Sequence, residues 1–328
     1  MNIWRMHERS KDMRYLIIGA GGTGGALAGF LARSGQQVAL IARGAHLAAI
    51  QQEGLTVDLP EESFTVKPSA YDMAGYLQAR AEGEPAPDIV FVCLKGYSLE
   101  EAVPFLKEVA DEHTVIIPIL NIYGTGGRLQ AQLPEKTVTD GCIYILSQKG
   151  EPGHIKMGGN LFRVVYGLRR GTAGEVSERV EPILEKLTGE LQEAGAKATH
   201  SHQIEADCFR KFTLISPMAT LGAAYGTKGA DLHAGGAYRE KFIALVKELM
   251  AIAKAQEIAL PEDMLAINLK LVDDMGDDAT SSMQRDVEAG RPSEVAGLTY
   301  EVPKMAEKAG VQAPAYEEIG ELLRGRGL

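Results

Sequence analysis

Three glycines near the start of the chain have the spacing of a phosphate-binding turn. In YLIIGAGGTGGALAG, Gly19, Gly21 and Gly24 form G-x-G-x-x-G between an apolar run and a helical pattern. The first glycine permits a tight turn, the second lets a pyrophosphate approach the backbone, and the third lets helix and strand pack closely. Gly22 and Thr23 follow at the helix N-terminus, where unpaired N–H groups attract phosphate. In this setting the motif predicts dinucleotide binding.

The end of the next strand indicates which dinucleotide binds. An acid there would hold the ribose 2′-hydroxyl of NAD, but the strand VALIAR ends in Arg43. A guanidinium suits the additional 2′-phosphate of NADP because it makes charge-assisted hydrogen bonds to phosphate. We therefore expect NADP as the cofactor, used as NADPH. The alternative is that Arg43 is an ordinary solvated charge at a strand end.

Lys95 and Asn121 come directly after two consecutive apolar runs, in DIVFVCLKG and TVIIPILNIYG. In an open parallel sheet both residues would lie at the carboxyl edge, where ligands bind. Taken singly, Lys95 could equally be a solvated loop lysine and Asn121 a turn residue. Their position after consecutive strands favours a shared role in binding.

Further candidates for chemistry lie in the last third of the chain. Lys211 is on an otherwise apolar helical stretch, CFRKFTLISPMATLGAAYG, and could donate a proton to a substrate oxygen. The alternative is a lysine whose ammonium extends to solvent. The segment TSSMQRDVEAGRPSEVAG contains Ser282, Asp286 and Glu294. Ser282 and Asp286 are four residues apart and share a helix face, which capping alone would not require.

The apolar runs that position these residues alternate with amphipathic stretches up to about His202. RYLIIGAG, QVALIAR, DIVFVCLKG and TVIIPILN are apolar on both faces, as the strands of a parallel sheet are, and predicted helices separate them. KTVTDGCIYILSQKGEPGHIKMGG, LFRVVYGL and AKATH predict further strands. We expect an α/β domain of Rossmann type, binding NADP, over residues 1–202, with residues 1–12 as an extension without ordered structure.

Residues 203–328 are expected to form an all-helical domain that carries the substrate-binding and catalytic residues. Apolar residues recur at helical spacing in GGAYREKFIALVKELMAIAKAQ and in PEDMLAINLKLVDD. Pro217 should kink the helix that carries Lys211, because proline lacks the N–H that the helix needs.

Composition excludes several classes of function. The net charge is −10 and no Lys/Arg-rich run appears, so a basic face for nucleic acid is missing. The longest apolar runs, such as VIIPIL, are far shorter than the roughly 20 residues of a membrane-spanning helix. The N-terminal residues lack the apolar core of a secretory signal. We expect a cytoplasmic protein with no membrane or nucleic-acid partner, and the sequence leaves a monomer and a homodimer both open.

We expect no metal site. The cysteines have no CxxC spacing, which argues against zinc. His200 and His202, in ATHSHQIE, would point to opposite faces of an extended strand, and no Asp, Glu or Cys stands at ligand spacing nearby. Turn residues are the simpler interpretation of this pair.

Several of these segments together resemble the ketopantoate reductase (2-dehydropantoate 2-reductase) family. The resemblance rests on GAGGTGG, the lysine in VCLKG, the asparagine in ILNIYG, RKF in the helical domain and, most specifically, SSMQRD followed by RPSEV. It spans nearly the whole chain in the right order. It implies NADPH-dependent reduction of ketopantoate to pantoate, a step of pantothenate and coenzyme A biosynthesis.

The resemblance also implies roles for individual residues. Lys211 matches the general acid that protonates the ketone oxygen as hydride arrives from the nicotinamide. Lys95 and Asn121 would lie near cofactor and substrate, and Ser282 would contact the substrate carboxylate. Glu294 would hold substrate or cofactor hydroxyls at the catalytic centre.

One departure from the family concerns the substrate site. The family usually has an asparagine four residues after the lysine, where this chain has Ile215. We keep Ile215 among the substrate-binding residues, together with Asp286, which matches a frequent acid of the family. Ser216, presented by a kink at Pro217, is a candidate to replace the missing amide.

These observations predict an NADPH-dependent reductase of a small 2-keto acid, with ketopantoate as the first candidate substrate. One alternative keeps the reaction and changes the 2-keto acid, because of Ile215. Another is an NADP-binding sensor without catalysis. Lys211, Ser282 and Glu294 argue against the sensor, which would need only the glycine turn and Arg43.

Overall fold

The computed structural model describes residues 13–233 and 235–328, which divide into two compact units. Their described members are residues 13–94, 98–120 and 124–204 in the first unit, and residues 95–97, 121–123, 205–233 and 235–328 in the second. The predicted extension, residues 1–12, lies outside the described residues. Two short loop segments therefore belong with the C-terminal unit, which a single boundary at residue 202 does not represent.

Strands and helices alternate through the first unit, and helices follow in the second. The strands are β1 Arg14–Ile18, β2 Gln37–Ile41, β3 Leu55–Asp58, β4 Ser63–Val66, β5 Ser69–Tyr71, β6 Ile89–Val92, β7 Val115–Pro118, β8 Thr137–Val138, β9 Asp140–Lys149, β10 His154–Gly167 and β11 Lys197–His200. The helices are α1 Gly22–Arg33, α2 Gly44–Glu53, α3 Met73–Ala81, α4 Leu99–Val109, α5 Thr125–Gln132, α6 Gly174–Glu193, α7 Ile204–Tyr225, α8 Gly229–Leu232, α9 Ala237–Ala255, α10 Met264–Asp273, α11 Ser282–Glu288, α12 Glu301–Lys308 and α13 Pro314–Gly325.

Six strands form a fully parallel sheet in the order β5-β2-β1-β6-β7-β8. Along β1, Tyr15 and Ile17 pack in the cluster that includes α1 and α6, whereas Leu16 and Ile18 pack in the cluster that includes α3, α4 and α5. Both faces of the strand are thus covered, which explains its unbroken apolar sequence. The predicted parallel sheet of Rossmann type is confirmed.

A second sheet, which the sequence did not separate from the first, has the order β11-β10-β3-β4, with β9 antiparallel to β10. Its longest strand, β10, runs from His154 to Gly167 as one element, although the sequence suggested two shorter strands there. The first part of β10 pairs with β3 and the last part with β11, both in parallel. Between these two parts, from Met157 to Phe162, the pairing of β10 with β9 shifts register.

Helix α1 contacts strands of both sheets, and its glycines make this possible. A Cβ at Gly22 would lie 2.7 Å from the Ser147 backbone, and one at Gly25 would lie 2.5 Å from the Ile155 side chain. A Cβ at Gly29 would collide with the Val57 side chain. Residues with larger side chains would force the second sheet away from the helix.

The second unit is built from helices around an apolar core. Buried side chains on α7 and α9, among them Phe209, Phe212 and Phe242, belong to one cluster. Among its described residues this unit contains helices and no strand, as predicted. None of the described helices combines the length and the hydrophobicity that a membrane span requires.

Candidate active site

The predicted phosphate-binding glycines lie between β1 and α1, as the motif requires. Gly19 has φ of +104°, and a Cβ there would lie 2.7 Å from the Cys93 carbonyl oxygen. A Cβ at Gly24 would collide with the Gly19 carbonyl oxygen. Gly21, by contrast, is exposed, and among the described residues no atom beyond its chain neighbours lies within 4 Å of its Cβ position. The turn is closed where chain segments meet and open at the middle glycine.

Helix α1 begins at Gly22 without a side-chain cap. Its first N–H groups, including that of Thr23, have no partner within the helix, and the helix dipole adds positive charge at this end. An anion could therefore approach the open face of Gly21 and accept hydrogen bonds from the backbone. This geometry fits the pyrophosphate of a dinucleotide.

Arg43 follows β2 and precedes the first turn of α2, where it has extended backbone geometry. Its side chain is exposed, and within the described ranges the guanidinium makes no ion pair or hydrogen bond. No acid stands at this strand end. The guanidinium is thus available to an external phosphate.

Lys95 and Asn121 each lie three positions after the end of a strand, β6 and β7 respectively, within short segments that belong to the helical unit. A Cβ at Gly96 or at Gly297 would collide with the Ile122 side chain. The two loop segments and the π-helical turn Ala296–Tyr300 therefore meet around Ile122. Sequence reasoning missed both glycines, because an isolated glycine in a loop carries no signal of what approaches it.

A network of charged groups connects Lys95 with the C-terminal motif. The Lys95 ammonium lies 3.0 Å from Glu294 Oε2 and 3.1 Å from Asp286 Oδ2. Glu294, whose side chain is 4% exposed, also accepts a hydrogen bond from the Gly96 N–H at 3.1 Å. Arg291 donates to Asp286 Oδ1 through Nε and Nη2. Two cations and two carboxylates thus balance each other in one cluster.

This network changes the acidity of Lys95. Burial by itself would lower the pKa of Lys95, but the adjacent Glu294 and Asp286 carboxylates outweigh it and raise the pKa above its ordinary value. The ammonium therefore stays charged at neutral pH and holds its proton tightly. Such a group is suited to orient its carboxylate partners rather than to release a proton.

Lys211 has different surroundings. It is buried on α7, with 8% of its surface exposed, and its Nζ donates a hydrogen bond of 2.7 Å to Asn121 Oδ1. The amide oxygen fixes the position of the ammonium without neutralising its charge. The sequence predicted both residues as site residues, but it gave no reason to pair them.

Ser282 and Ile215 are each four positions from one of these groups, Ser282 from Asp286 and Ile215 from Lys211. Ser282 is the first residue of α11, and the cap is supplied instead by Ser281, which accepts a hydrogen bond from the Gln284 N–H at 3.0 Å. The half-buried Ser282 hydroxyl makes no hydrogen bond to any described residue. Ile215 lies one turn after Lys211 and is half-buried. Unlike Leu214, it is not among the side chains that pack against the core of this unit.

Ser216 does not replace the missing amide, contrary to the suggestion from the sequence. It is fully buried, and its hydroxyl donates to the Leu298 carbonyl at 2.6 Å and lies 2.6 Å from the Tyr316 hydroxyl. Helix α7 continues through Pro217 to Tyr225. Because Pro217 has no N–H, the Thr213 carbonyl lacks its helical donor, and a buried asparagine side chain, Asn268 Nδ2, donates to it at 3.2 Å.

His200 and His202 do not point to opposite faces, and that prediction is wrong. Strand β11 ends at His200 and the chain turns at once, so the two rings lie on one side with centroids 5.1 Å apart. Glu181 from α6 joins them, with its Oε2 3.2 Å from His200 Nε2. Nothing in the local sequence indicated this carboxylate, because it is 19 residues from His200.

Comparison with known proteins identifies the chain over most of its length. The family descriptions Ketopantoate reductase PanE/ApbA and its C-terminal domain match residues 15–171 and 203–327. A 2-dehydropantoate 2-reductase of Mesorhizobium japonicum is 28% identical over an alignment 337 residues long, gaps included. The alignment covers 95% of this chain and 97% of that protein.

Solved structures have the same fold. The crystal structure of 2-dehydropantoate 2-reductase from Methylococcus capsulatus superposes with a TM-score of 0.82 at 23% identity, covering 95% of this chain and 96% of that one. The ternary structure of D-mandelate dehydrogenase with NADH and anilino(oxo)acetate also has a TM-score of 0.82, at 22% identity, covering 95% and 98%. At these identities the similarity establishes the fold alone.

Proposed function

Because the chain belongs to the ketopantoate reductase family, we propose that it is an NADPH-dependent reductase of a small 2-keto acid, with ketopantoate as the first candidate substrate. The observation that carries this proposal is the buried Lys211 ammonium held by Asn121 in the same unit as the Lys95–Glu294–Asp286 network. In this proposal the network holds the Glu294 and Asp286 carboxylates in position, and Lys211 supplies a proton. A protein that only binds a dinucleotide needs neither.

The first unit would hold the cofactor. The pyrophosphate would lie over Gly21, against the N-terminal N–H groups of α1, and Arg43 would bind the 2′-phosphate. When bound, the reduced nicotinamide supplies a hydride to the carbonyl carbon of the substrate. NADH is the alternative cofactor, since the D-mandelate dehydrogenase of the same fold was solved with it. The exposed, unpaired guanidinium of Arg43 favours NADPH.

Lys211 would deliver the proton to the carbonyl oxygen. Addition of hydride leaves negative charge on that oxygen, and an ammonium at hydrogen-bond distance first stabilises the charge and then donates. Lys95 is the less suitable donor, because the carboxylates around it raise its pKa and occupy its ammonium. Asn121 would keep the Lys211 ammonium in place during the transfer.

The substrate would be bound by Ser282 through its carboxylate, with Glu294 and Asp286 near its hydroxyl groups. Ile215 would contribute apolar contact where the family usually offers an amide. This favours a second candidate reaction, reduction of a 2-keto acid with an apolar or aromatic side chain. The existence of a mandelate dehydrogenase with this fold is consistent with such a substrate, because mandelate carries a phenyl group.

The test is a steady-state assay of NADPH oxidation with a panel of 2-keto acids: ketopantoate, its analogue without the 4-hydroxyl group, pyruvate and phenylglyoxylate. The highest kcat/KM with ketopantoate supports the first candidate, and the highest with phenylglyoxylate supports the second. Binding of NADPH without turnover of any 2-keto acid would contradict both and favour the sensor.

A further inference from the structure

Glu181, His200 and His202 form a cluster of metal-binding side chains in the first unit. Glu181 projects from α6, His200 ends β11, and His202 stands in the turn that follows. One ligand atom from each residue lies within 4.8 Å of those of the other two. Within the described part of the chain, this is the group of His, Cys, Asp and Glu side chains that has a metal-binding arrangement.

The central residue, His200, is fixed in position. Its side chain is 10% exposed, and its ring stacks on Tyr166 with the two planes 10° apart. Nε2 is buried and makes no hydrogen bond of good geometry, although Glu181 Oε2 is only 3.2 Å away. A buried ring nitrogen without a hydrogen-bond partner is costly, and it is relieved when the nitrogen coordinates a metal.

The distances also suit a metal. Two ligand atoms at about 2.0–2.1 Å from zinc in a tetrahedral site are about 3.3 Å apart. The Glu181–His200 separation of 3.2 Å already has this value. His202 is exposed, so its ring can rotate toward the other two ligands with little resistance from neighbouring side chains.

We propose that Glu181, His200 and His202 bind a divalent transition-metal ion, with Zn²⁺ as the first candidate. Two imidazoles and one carboxylate suit Zn²⁺, which binds nitrogen as well as oxygen ligands. They suit Mg²⁺ and Ca²⁺ less, because these ions take oxygen ligands. With three protein ligands, water completes the coordination. The metal links α6 to the end of β11 and thereby stabilises the first unit.

The charge around the cluster supports a cation. The Glu181 carboxylate, with its Oε2 3.2 Å from His200 Nε2, supplies one negative charge at the cluster itself. Glu185, one turn further along α6, adds negative charge close to the site. The competing interpretation is an ion pair between Glu181 and a protonated His200, which needs no metal and does not use His202.

The test uses the full chain, stripped with a chelator and then titrated calorimetrically with ZnCl₂ and separately with MgCl₂. We expect one Zn²⁺ per chain at this site and no comparable binding of Mg²⁺. A hundredfold excess of Zn²⁺ over its Kd should raise the Tm by on the order of 5 °C. His202→Gln removes a ligand, so it should weaken Zn²⁺ binding by roughly tenfold or more and, at the same Zn²⁺ concentration, reduce the rise in Tm to about half or less.

His202→Gln changes an exposed side chain, so the variant should fold normally, and its far-ultraviolet circular dichroism checks this. The matched control is His113→Gln, since His113 Nε2 lies 3.3 Å from Glu112 Oε1 in an exposed pair that is not part of a three-residue metal-binding group among the described residues. Zn²⁺ affinity should not change in this control. Absence of Zn²⁺ binding, or equal affinity in wild type, His202→Gln and Glu181→Gln, would overturn the proposal. None of these readouts depends on reductase activity.

Discussion

Replacing Lys211 by Met should lower kcat by about 10² to 10⁴, the range that a positioned general acid contributes. This corresponds to about 2.7–5.4 kcal/mol of transition-state stabilisation. Met keeps most of the volume of this 8% exposed side chain, so the variant removes the proton donor without opening a cavity. NADPH affinity should change little, because the predicted phosphate-binding groups are in the other unit.

The hydrogen bond to Asn121 makes the prediction more specific. A hydrogen bond to a charged group contributes about 1.5–3 kcal/mol, so loss of the 2.7 Å contact in Asn121→Ala should reduce kcat by about 10- to 100-fold. If Asn121 acts by positioning the ammonium, the same change should have little effect on kcat in the Lys211→Met background. Additive losses would mean that Asn121 acts independently of Lys211.

The assay is NADPH oxidation followed through the near-ultraviolet absorbance of the reduced nicotinamide, with kcat and KM determined for each variant. Lys270→Met is the matched control, because Lys270 is 77% exposed on α10 and, among the described residues, its ion pair is with Asp274 in the next turn. Its kcat should equal that of the wild type. A near-normal kcat in Lys211→Met would show that Lys211 is not the general acid, and Lys95 would then be the first alternative proton donor to test.

Three further changes test other parts of the structure. Arg43→Ala should weaken NADPH binding by about 10- to 100-fold and NADH binding far less, as measured by nucleotide fluorescence; equal losses would contradict binding of the 2′-phosphate. The wild type should prefer ketopantoate over its analogue without the 4-hydroxyl group by on the order of 10² or less in kcat/KM, and Ile215→Asn should increase this preference; an unchanged ratio would place Ile215 away from the substrate. Tyr15→Phe removes the 2.6 Å hydrogen bond to the buried Glu190 and should lower the free energy of unfolding in urea by about 1–3 kcal/mol, whereas Tyr71→Phe, which loses no hydrogen bond within the described residues, should have almost no effect.

The features that the sequence determined are those set by short-range physical chemistry. The G-x-G-x-x-G spacing at Gly19, Gly21 and Gly24 predicts a turn between strand and helix, because each glycine meets a requirement of the local backbone. Apolar runs such as residues 15–18 predict buried parallel strands, because a strand that is covered on both faces keeps few polar positions. Helical periodicity in the last third of the chain predicts its helices for a similar reason.

Tertiary structure decided which residues meet. Lys95 and Glu294 are 199 positions apart, and no local pattern encodes their ion pair or the resulting rise in the pKa of Lys95. The sequence also does not predict the second sheet. This sheet packs closely on α1 because Gly25 and Gly29 have no side chains, and a glycine does not indicate which segment will pack against it.

The same limit explains the corrections. The sequence could not show that the Ser216 hydroxyl donates its hydrogen bond to the Leu298 carbonyl, 82 positions away. The position of a residue in a helix does not reveal which group its side chain faces. It also assigned opposite faces to His200 and His202, since alternation holds only while the chain stays extended, and here the strand ends at the first of the two. Sequence patterns describe the conformation of neighbouring residues, whereas the surroundings of a side chain depend on segments that only the folded chain brings together.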